Sequence, residues 1–122
     1  MAKRILMIDD EPNTIEVVGD RLKEMGYEFE GRSNPKEGQW ATSKTRPDLI
    51  VLDINMPGWN DGIGFLDSIR HHPNLLGIPI VIYTSLNIRE LRRGAEEAGA
   101  SGYYQKLSED KAFYDKIEKL LG

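Results

Sequence analysis

The 122-residue chain carries 16 Lys and Arg against 20 Asp and Glu, with 39% apolar and 30% charged residues. That size and apolar content fit a single domain over 1–122 and exclude a multidomain enzyme and a disordered tail. A net charge of -4 with no Lys/Arg block argues against direct nucleic-acid or anionic-membrane binding, and the lack of cysteine removes disulfides, thiolate nucleophiles and zinc ribbons. With no signal-peptide core and no apolar run of about 18 residues, the expected location is the cytoplasm.

Arg4–Ile8 reads as a first strand ending on Asp9-Asp10-Glu11. An Asn13-x-x-Glu16 capping box then opens a helix with Ile15, Val18, Leu22 and Met25 on one face and a stop at Gly26. Tyr27–Glu30 is the second strand. Asn34-Pro35-x-Glu37 starts a second helix through Lys44, in which Gly38 and Thr42 are poor helix formers. Leu49–Leu52 is a continuous apolar run without alternation, the pattern of a parallel strand covered on both faces, and it ends on Asp53. Ile63–His72 predicts a third helix closed by Pro73, where His71 and His72 suit the helix dipole better than a catalytic role. Ile78–Tyr83 is the fourth strand, followed by Thr84-Ser85, and Asn87-x-x-Glu90 opens a fourth helix with Ile88, Leu91, Ala95 and Ala98 on one face. Gly102–Gln105 is the fifth strand, ending on Lys106, and a last helix runs from Glu109 to Leu121 with Phe113, Ile117 and Leu120 inward. On the surface, Arg92 and Arg93 are expected to pair with Glu96 and Glu97 four residues on. Trp40 reads as packing, and Trp59 as a loop anchor.

Five alternations of strand and helix predict a doubly wound α/β domain with right-handed crossovers. Ligands in such sheets bind beyond the carboxyl ends of the strands, where the strand order reverses. If the order is 2-1-3-4-5, the first and third strands are neighbours and Asp9, Asp10 and Asp53 share that crevice. Their repulsion calls for protonation or a cation, and an oxygen-only site without His or Cys suits Mg²⁺ better than zinc. A carboxylate beside Mg²⁺, with a hydroxyl and an ammonium converging on it, can attack a phosphoryl group to form an acyl phosphate. Three carboxylates total -3 while Mg²⁺ and Lys106 supply +3, which leaves an arriving phosphoryl group attracted and held.

Met7-Ile8-Asp9-Asp10-Glu11-Pro12, Leu52-Asp53-Ile54-Asn55-Met56-Pro57, Tyr83-Thr84-Ser85 and Gly99-Ala100-Ser101-Gly102-Tyr103-Tyr104-Gln105-Lys106 stand in order at these strand ends. In them the sequence resembles the receiver domains of two-component response regulators over essentially its whole length. The resemblance implies a flavodoxin-like (βα)5 fold, with Asp53 as phosphoacceptor, Asp10 as a direct Mg²⁺ ligand, Asp9 as its water-mediated partner and Asn55 adding a backbone carbonyl. It also implies that Thr84 binds a phosphoryl oxygen, that Lys106 pairs with the phosphoryl group and that Tyr103 turns inward on activation. A sensor histidine kinase or phosphotransfer protein would supply the phosphoryl group. A downstream protein target, or a second copy of the domain, would dock on the face of helix 4, strand 5 and helix 5. Three positions depart from the family pattern. Leu107 follows the lysine where a cis proline is usual, although a cis bond to a non-proline costs about 2.5 to 4 kcal/mol. Asp61-Gly62 come one residue late, through Gly58-Trp59-Asn60, so that loop is expected to be remodelled. Leu86 is apolar at a position that helps set acyl-phosphate lifetime.

The expected role is therefore a stoichiometric switch that is phosphorylated and dephosphorylated on itself, rather than a turnover enzyme. A haloacid-dehalogenase-like phosphatase uses similar groups but places its nucleophile on the first strand with a second Asp two residues on, whereas here the acid pair comes first and Asn55 holds the second place. A receiver-like binding module that acts unphosphorylated is the third reading.

Overall fold

Strand and helix alternate as expected in the computed structural model, which describes residues 2–55, 63–71 and 77–122. The elements are β1 Arg4–Ile8, α1 Pro12–Glu24, β2 Glu28–Arg32, α2 Pro35–Thr45, β3 Leu49–Leu52, α3 Ile63–Arg70, β4 Ile80–Thr84, α4 Arg89–Glu97, β5 Gly102–Gln105 and α5 Asp110–Leu121. All strand pairs are parallel and the sheet order is β2-β1-β3-β4-β5. Side chains alternate across each strand, so the central strands feed two apolar layers. Ile5, Met7, Leu49, Val51, Val81 and Tyr83 meet Val18 and Leu22 of α1 and Phe113 and Ile117 of α5. On the other face Leu6, Ile8, Ile50, Leu52, Ile80 and Ile82 meet Ala41 of α2, Leu66 of α3 and Ala95 of α4.

Element ends differ from expectation for local reasons. Of the three capping boxes only Asn34 caps, its Oδ1 accepting the Glu37 amide at 2.9 Å while its side-chain amide donates to the Glu37 carboxylate. Pro12 supplies a ready helical φ and starts α1 before Asn13, with Glu11 as the cap residue. At α4 the cap residue is Ile88, so Asn87 lies one position too early to reach the free amides. β2 runs on to Arg32, because an edge strand paired from Arg4↔Glu28 to Ile8↔Arg32 needs no apolar run. β4 begins after Pro79, whose carbonyl accepts the Ile50 amide. In α5 the buried row is Phe113 and Ile117, with Leu121 packed against them and Leu120 37% exposed, as i, i+4, i+8 geometry dictates. Trp40 is 57% exposed rather than packed inside, with the Arg32 guanidinium 5.5 Å from its ring centroid. The expected Gly58–Gly62 remodelling, the Trp59 anchor and the closure of the third helix by His72-Pro73 lie outside the described residues. No helix among the described residues is long and apolar enough to cross a membrane.

Candidate functional site

β1 and β3 are neighbours at the point where the strand order reverses, with Ile8 opposite Leu52. Asp9 and Asp53 therefore leave the sheet side by side, the Asp53 amide donating to the Ile8 carbonyl at 3.0 Å. Both carboxylates are buried while Asp10 is exposed, and one oxygen from each of the three lies within 4.8 Å of the others. Each buried acid spends one oxygen on the loop that follows it. Asp9 Oδ1 accepts the Glu11 amide at 2.9 Å, and Asp53 Oδ1 accepts the Asn55 amide at 2.9 Å. The second oxygens turn into the crevice toward Lys106, whose Nζ lies 2.8 Å from Asp9 Oδ2 and 3.0 Å from Asp53 Oδ2.

The Asp9 contact is electrostatic without being an aligned hydrogen bond, and Asp9 Oδ2 is a buried oxygen with no hydrogen-bond partner among the described residues. A hard cation satisfies such an oxygen, and the three carboxylates form the oxygen-only donor set it takes. Burial pushes the Asp9 carboxyl above its ordinary range, against the pull of Lys106 and the Glu11 amide. Burial alone would lower the Lys106 ammonium, but the close negative charges of Asp9 and Asp53, and the hydrogen bond to Asp53, outweigh it and hold the lysine above its ordinary value. The lysine is thus a fixed positive charge between two acids.

Thr84 is fully buried at the end of β4, its hydroxyl accepting the Leu86 amide at 3.4 Å and its carbonyl accepting the Lys106 amide at 2.8 Å. Tyr103 lies inward in this structure. Its ring is 3% exposed and its hydroxyl donates to the Leu86 carbonyl at 2.7 Å. Arg92 leaves its expected helical partner for Glu109 at 2.9 Å and the Tyr103 carbonyl at 2.9 Å, whereas Arg93 keeps Glu97 at 3.1 Å. No cis peptide bond occurs among the described residues, and Leu107 adopts a left-handed φ of 73°.

Sequence reading did not assign a role to Glu11, whose Oε1 lies 3.1 Å from Lys106 Nζ, or to Asp110, which accepts the Tyr83 hydroxyl and the Leu107 amide. A signal existed for Asp110. Leu107, unlike proline, has an amide to donate, and an acid stands three residues on.

The sequence profile described as Response regulator receiver domain matches residues 5–118. Among curated proteins, the response regulator PleD of Caulobacter vibrioides is 28% identical over 120 residues, covering 98% of this chain and 26% of that protein. The chain spans under half of the length of several other curated relatives. Among solved structures, response regulator TrrA of Thermotoga maritima in complex with Mg²⁺-BeF superposes with a TM-score of 0.85 at 32% identity over 98% of this chain and 99% of that one. Chemotaxis protein CheY4 of Vibrio cholerae gives 0.89 at 25% identity over 99% and 100%.

Proposed function

The chain belongs to the response regulator receiver domain family, phosphoryl-accepting switches of two-component signalling, and from that premise we propose that Asp53 is the phosphoacceptor of a single receiver domain over 1–122. The observation that carries this is the convergence of Asp53 Oδ2 and Lys106 Nζ at 3.0 Å within a crevice lined by Asp9 and Asp10. A carboxylate oxygen of Asp53 forms the new bond to phosphorus. The bond from phosphorus to an imidazole nitrogen of the donor's phosphohistidine breaks, its electron pair staying on that nitrogen.

Asp10 and Asp53, with Asp9 through water and the Asn55 carbonyl, are the residues to hold Mg²⁺. When bound, that ion offsets the negative charge that gathers as the phosphoryl group meets the carboxylates. Lys106 is already buried beside the acceptor, so it pairs with a phosphoryl oxygen without crossing solvent. Thr84, at the end of β4, donates its hydroxyl to another phosphoryl oxygen and so reports its arrival. Water later attacks phosphorus and returns Asp53 to the carboxylate, which makes the domain a stoichiometric switch rather than a turnover enzyme. On this reading the domain works in the cytoplasm, and its partners are a sensor histidine kinase or phosphotransfer protein and a downstream protein, or a second copy, on the α4–β5–α5 face, where Ile88 is 44% exposed.

Incubation with acetyl phosphate and Mg²⁺, followed by intact mass, tests the assignment. One added phosphoryl group that is lost in Asp53→Asn is expected. Multiple-turnover release of phosphate from esters would replace the switch with a phosphatase.

A further inference from the structure

Lys106 is held from one side in a way the strand pattern explains. Its amide donates to the Thr84 carbonyl at 2.8 Å, the last rung between β5 and β4. On its other side the chain must turn sharply into α5, and the residue making that turn is Leu107, in the left-handed region at φ 73° with its side chain 89% exposed. A leucine gains nothing from that backbone conformation, which crowds its Cβ against the following carbonyl, and the exposed side chain supplies no packing to hold it. Ser108 Oγ donates to Gln105 Oε1 at 2.9 Å and the Glu109 amide to the Gln105 carbonyl at 3.0 Å, but these bonds tie the turn only to its own strand.

The tie to β4 comes from Asp110. Its Oδ1 accepts the Leu107 amide at 2.8 Å and the Tyr83 hydroxyl at 2.7 Å. Tyr83 is a firm anchor, 4% exposed, with its ring stacked on Phe113 at 4.1 Å between centroids and 16° between planes. It also immediately precedes Thr84. One carboxylate oxygen thus connects the backbone just after Lys106 to the core residue just before Thr84. A proline after the lysine could not take part, since it has no amide to donate.

We propose that Asp110 is a positioning residue for the phosphoryl chemistry, clamping Leu107 to Tyr83 so that the Lys106 ammonium is held at Asp53. The inference rests on the role proposed above for Lys106. A charged group placed an ångström away from where charge gathers loses much of its effect, so loosening the clamp weakens phosphoryl binding, whereas freeing Asp9 and Asp53 from a competing ammonium does not weaken Mg²⁺.

The test uses the full chain with Asp110→Ala, Asp110→Asn, Tyr83→Phe and Lys106→Ala. Binding of Mg²⁺, and of beryllofluoride at saturating Mg²⁺, is followed by backbone amide NMR shifts, alongside the rate of phosphorylation by acetyl phosphate. Asp110→Ala should weaken beryllofluoride about tenfold and slow phosphorylation by a similar factor, with Mg²⁺ affinity no weaker than that of wild type. Asp110→Asn retains an acceptor oxygen for both donors and should recover most of each loss. Tyr83→Phe, which keeps the ring stack and removes one donor, should lose about threefold, and it carries the test if Asp110→Ala does not fold. Unchanged beryllofluoride affinity in Asp110→Ala, with Lys106→Ala impaired, overturns the clamp and leaves the role of the lysine standing. Unchanged affinity in Lys106→Ala itself overturns both. A loss in Asp110→Ala matched by an equal loss of Mg²⁺ affinity and not recovered by Asp110→Asn marks general damage to the fold and overturns the positioning role.

Discussion

The Arg92 guanidinium donates to the Tyr103 carbonyl at 2.9 Å and sits 4.6 Å from the centroid of the same residue's ring. Its other arm reaches Glu109 Oε1 at 2.9 Å, and that oxygen also accepts the Gln105 amide at 2.8 Å. α4, β5 and the start of α5 are therefore joined through one side chain on the face proposed to dock a partner. The hydrogen bond and the guanidinium-ring contact carry most of this, because the ion pair is about one-third exposed on each side and is screened. Arg92→Ala should lower stability by about 1–2 kcal/mol, measured from urea midpoints. Arg92→Lys should recover less than half of that, since an ammonium cannot serve carbonyl, carboxylate and ring together. A lysine variant as stable as wild type would reduce the arrangement to simple charge.

Removal of the exposed acid from the crevice should act in opposite directions on the metal and on the fold. Asp10→Asn should weaken Mg²⁺ by about tenfold, through loss of a direct carboxylate ligand. In chelator the same variant should melt at a higher temperature than wild type, because Asp9, Asp10 and Asp53 crowd within 4.8 Å of one another and Lys106 already serves the two buried ones. Thermal melts with and without Mg²⁺ check both signs. Equal melting of the two proteins in chelator would mean that Asp10 feels little of the cluster's repulsion.

Much of this site was legible before the structure, and the reason lies in backbone geometry. Asp9, Asp53, Thr84 and Lys106 are fixed by where strands end, and strands of unbroken apolar residues such as Leu49–Leu52 announce themselves. The sequence pattern could not show which rotamer Tyr103 takes, because that depends on the Leu86 carbonyl lying within reach of its hydroxyl. It also paired Arg92 along its own helix, as spacing dictates, when a residue seventeen positions away offered a better-oriented carboxylate. Two helix starts were misplaced for a similar reason, since Pro12 and Ile88 set the entry of the chain without a capping side chain.

All five tyrosines should resist ionisation in the folded protein. Burial raises each of Tyr27, Tyr83, Tyr103, Tyr104 and Tyr114 above the ordinary value of 10.0, and Tyr83 is raised further by the hydrogen bond to Asp110. The unfolded chain binds fewer protons than the folded one once the pH passes that ordinary value, so stability is complete below it and falls as pH rises toward the raised values. Ultraviolet titration should therefore show few tyrosinates near pH 10 in the native protein, then a cooperative rise that coincides with loss of helical circular dichroism. The protein in urea should titrate near 10. A smooth native titration centred there, with helix intact, would show that the rings are open to solvent.

Gly38, a poor residue for the middle of a helix, earns its place by contact. A Cβ built there would lie 2.5 Å from Ile8 Cδ1 and 2.6 Å from Ile8 Cγ1, closer than real methyl groups approach. α2 can thus lie against β1 beside the crevice only because that position has no side chain, and Thr42 fixes the same turn by donating its hydroxyl to the Gly38 carbonyl at 2.7 Å. Helix propensity alone makes Gly38→Ala stabilising by about 1 kcal/mol. Overpacking against a fully buried isoleucine costs about 1–3 kcal/mol and should win, giving a net loss of about 1 kcal/mol in urea unfolding. Ile8→Val removes the nearer of the two clashing carbons, so the double variant Gly38→Ala/Ile8→Val should be more stable than the sum of the single effects predicts. Strict additivity in that double-mutant cycle would show that α2 shifts away from β1 freely, and Ile8 would then not be what holds the glycine.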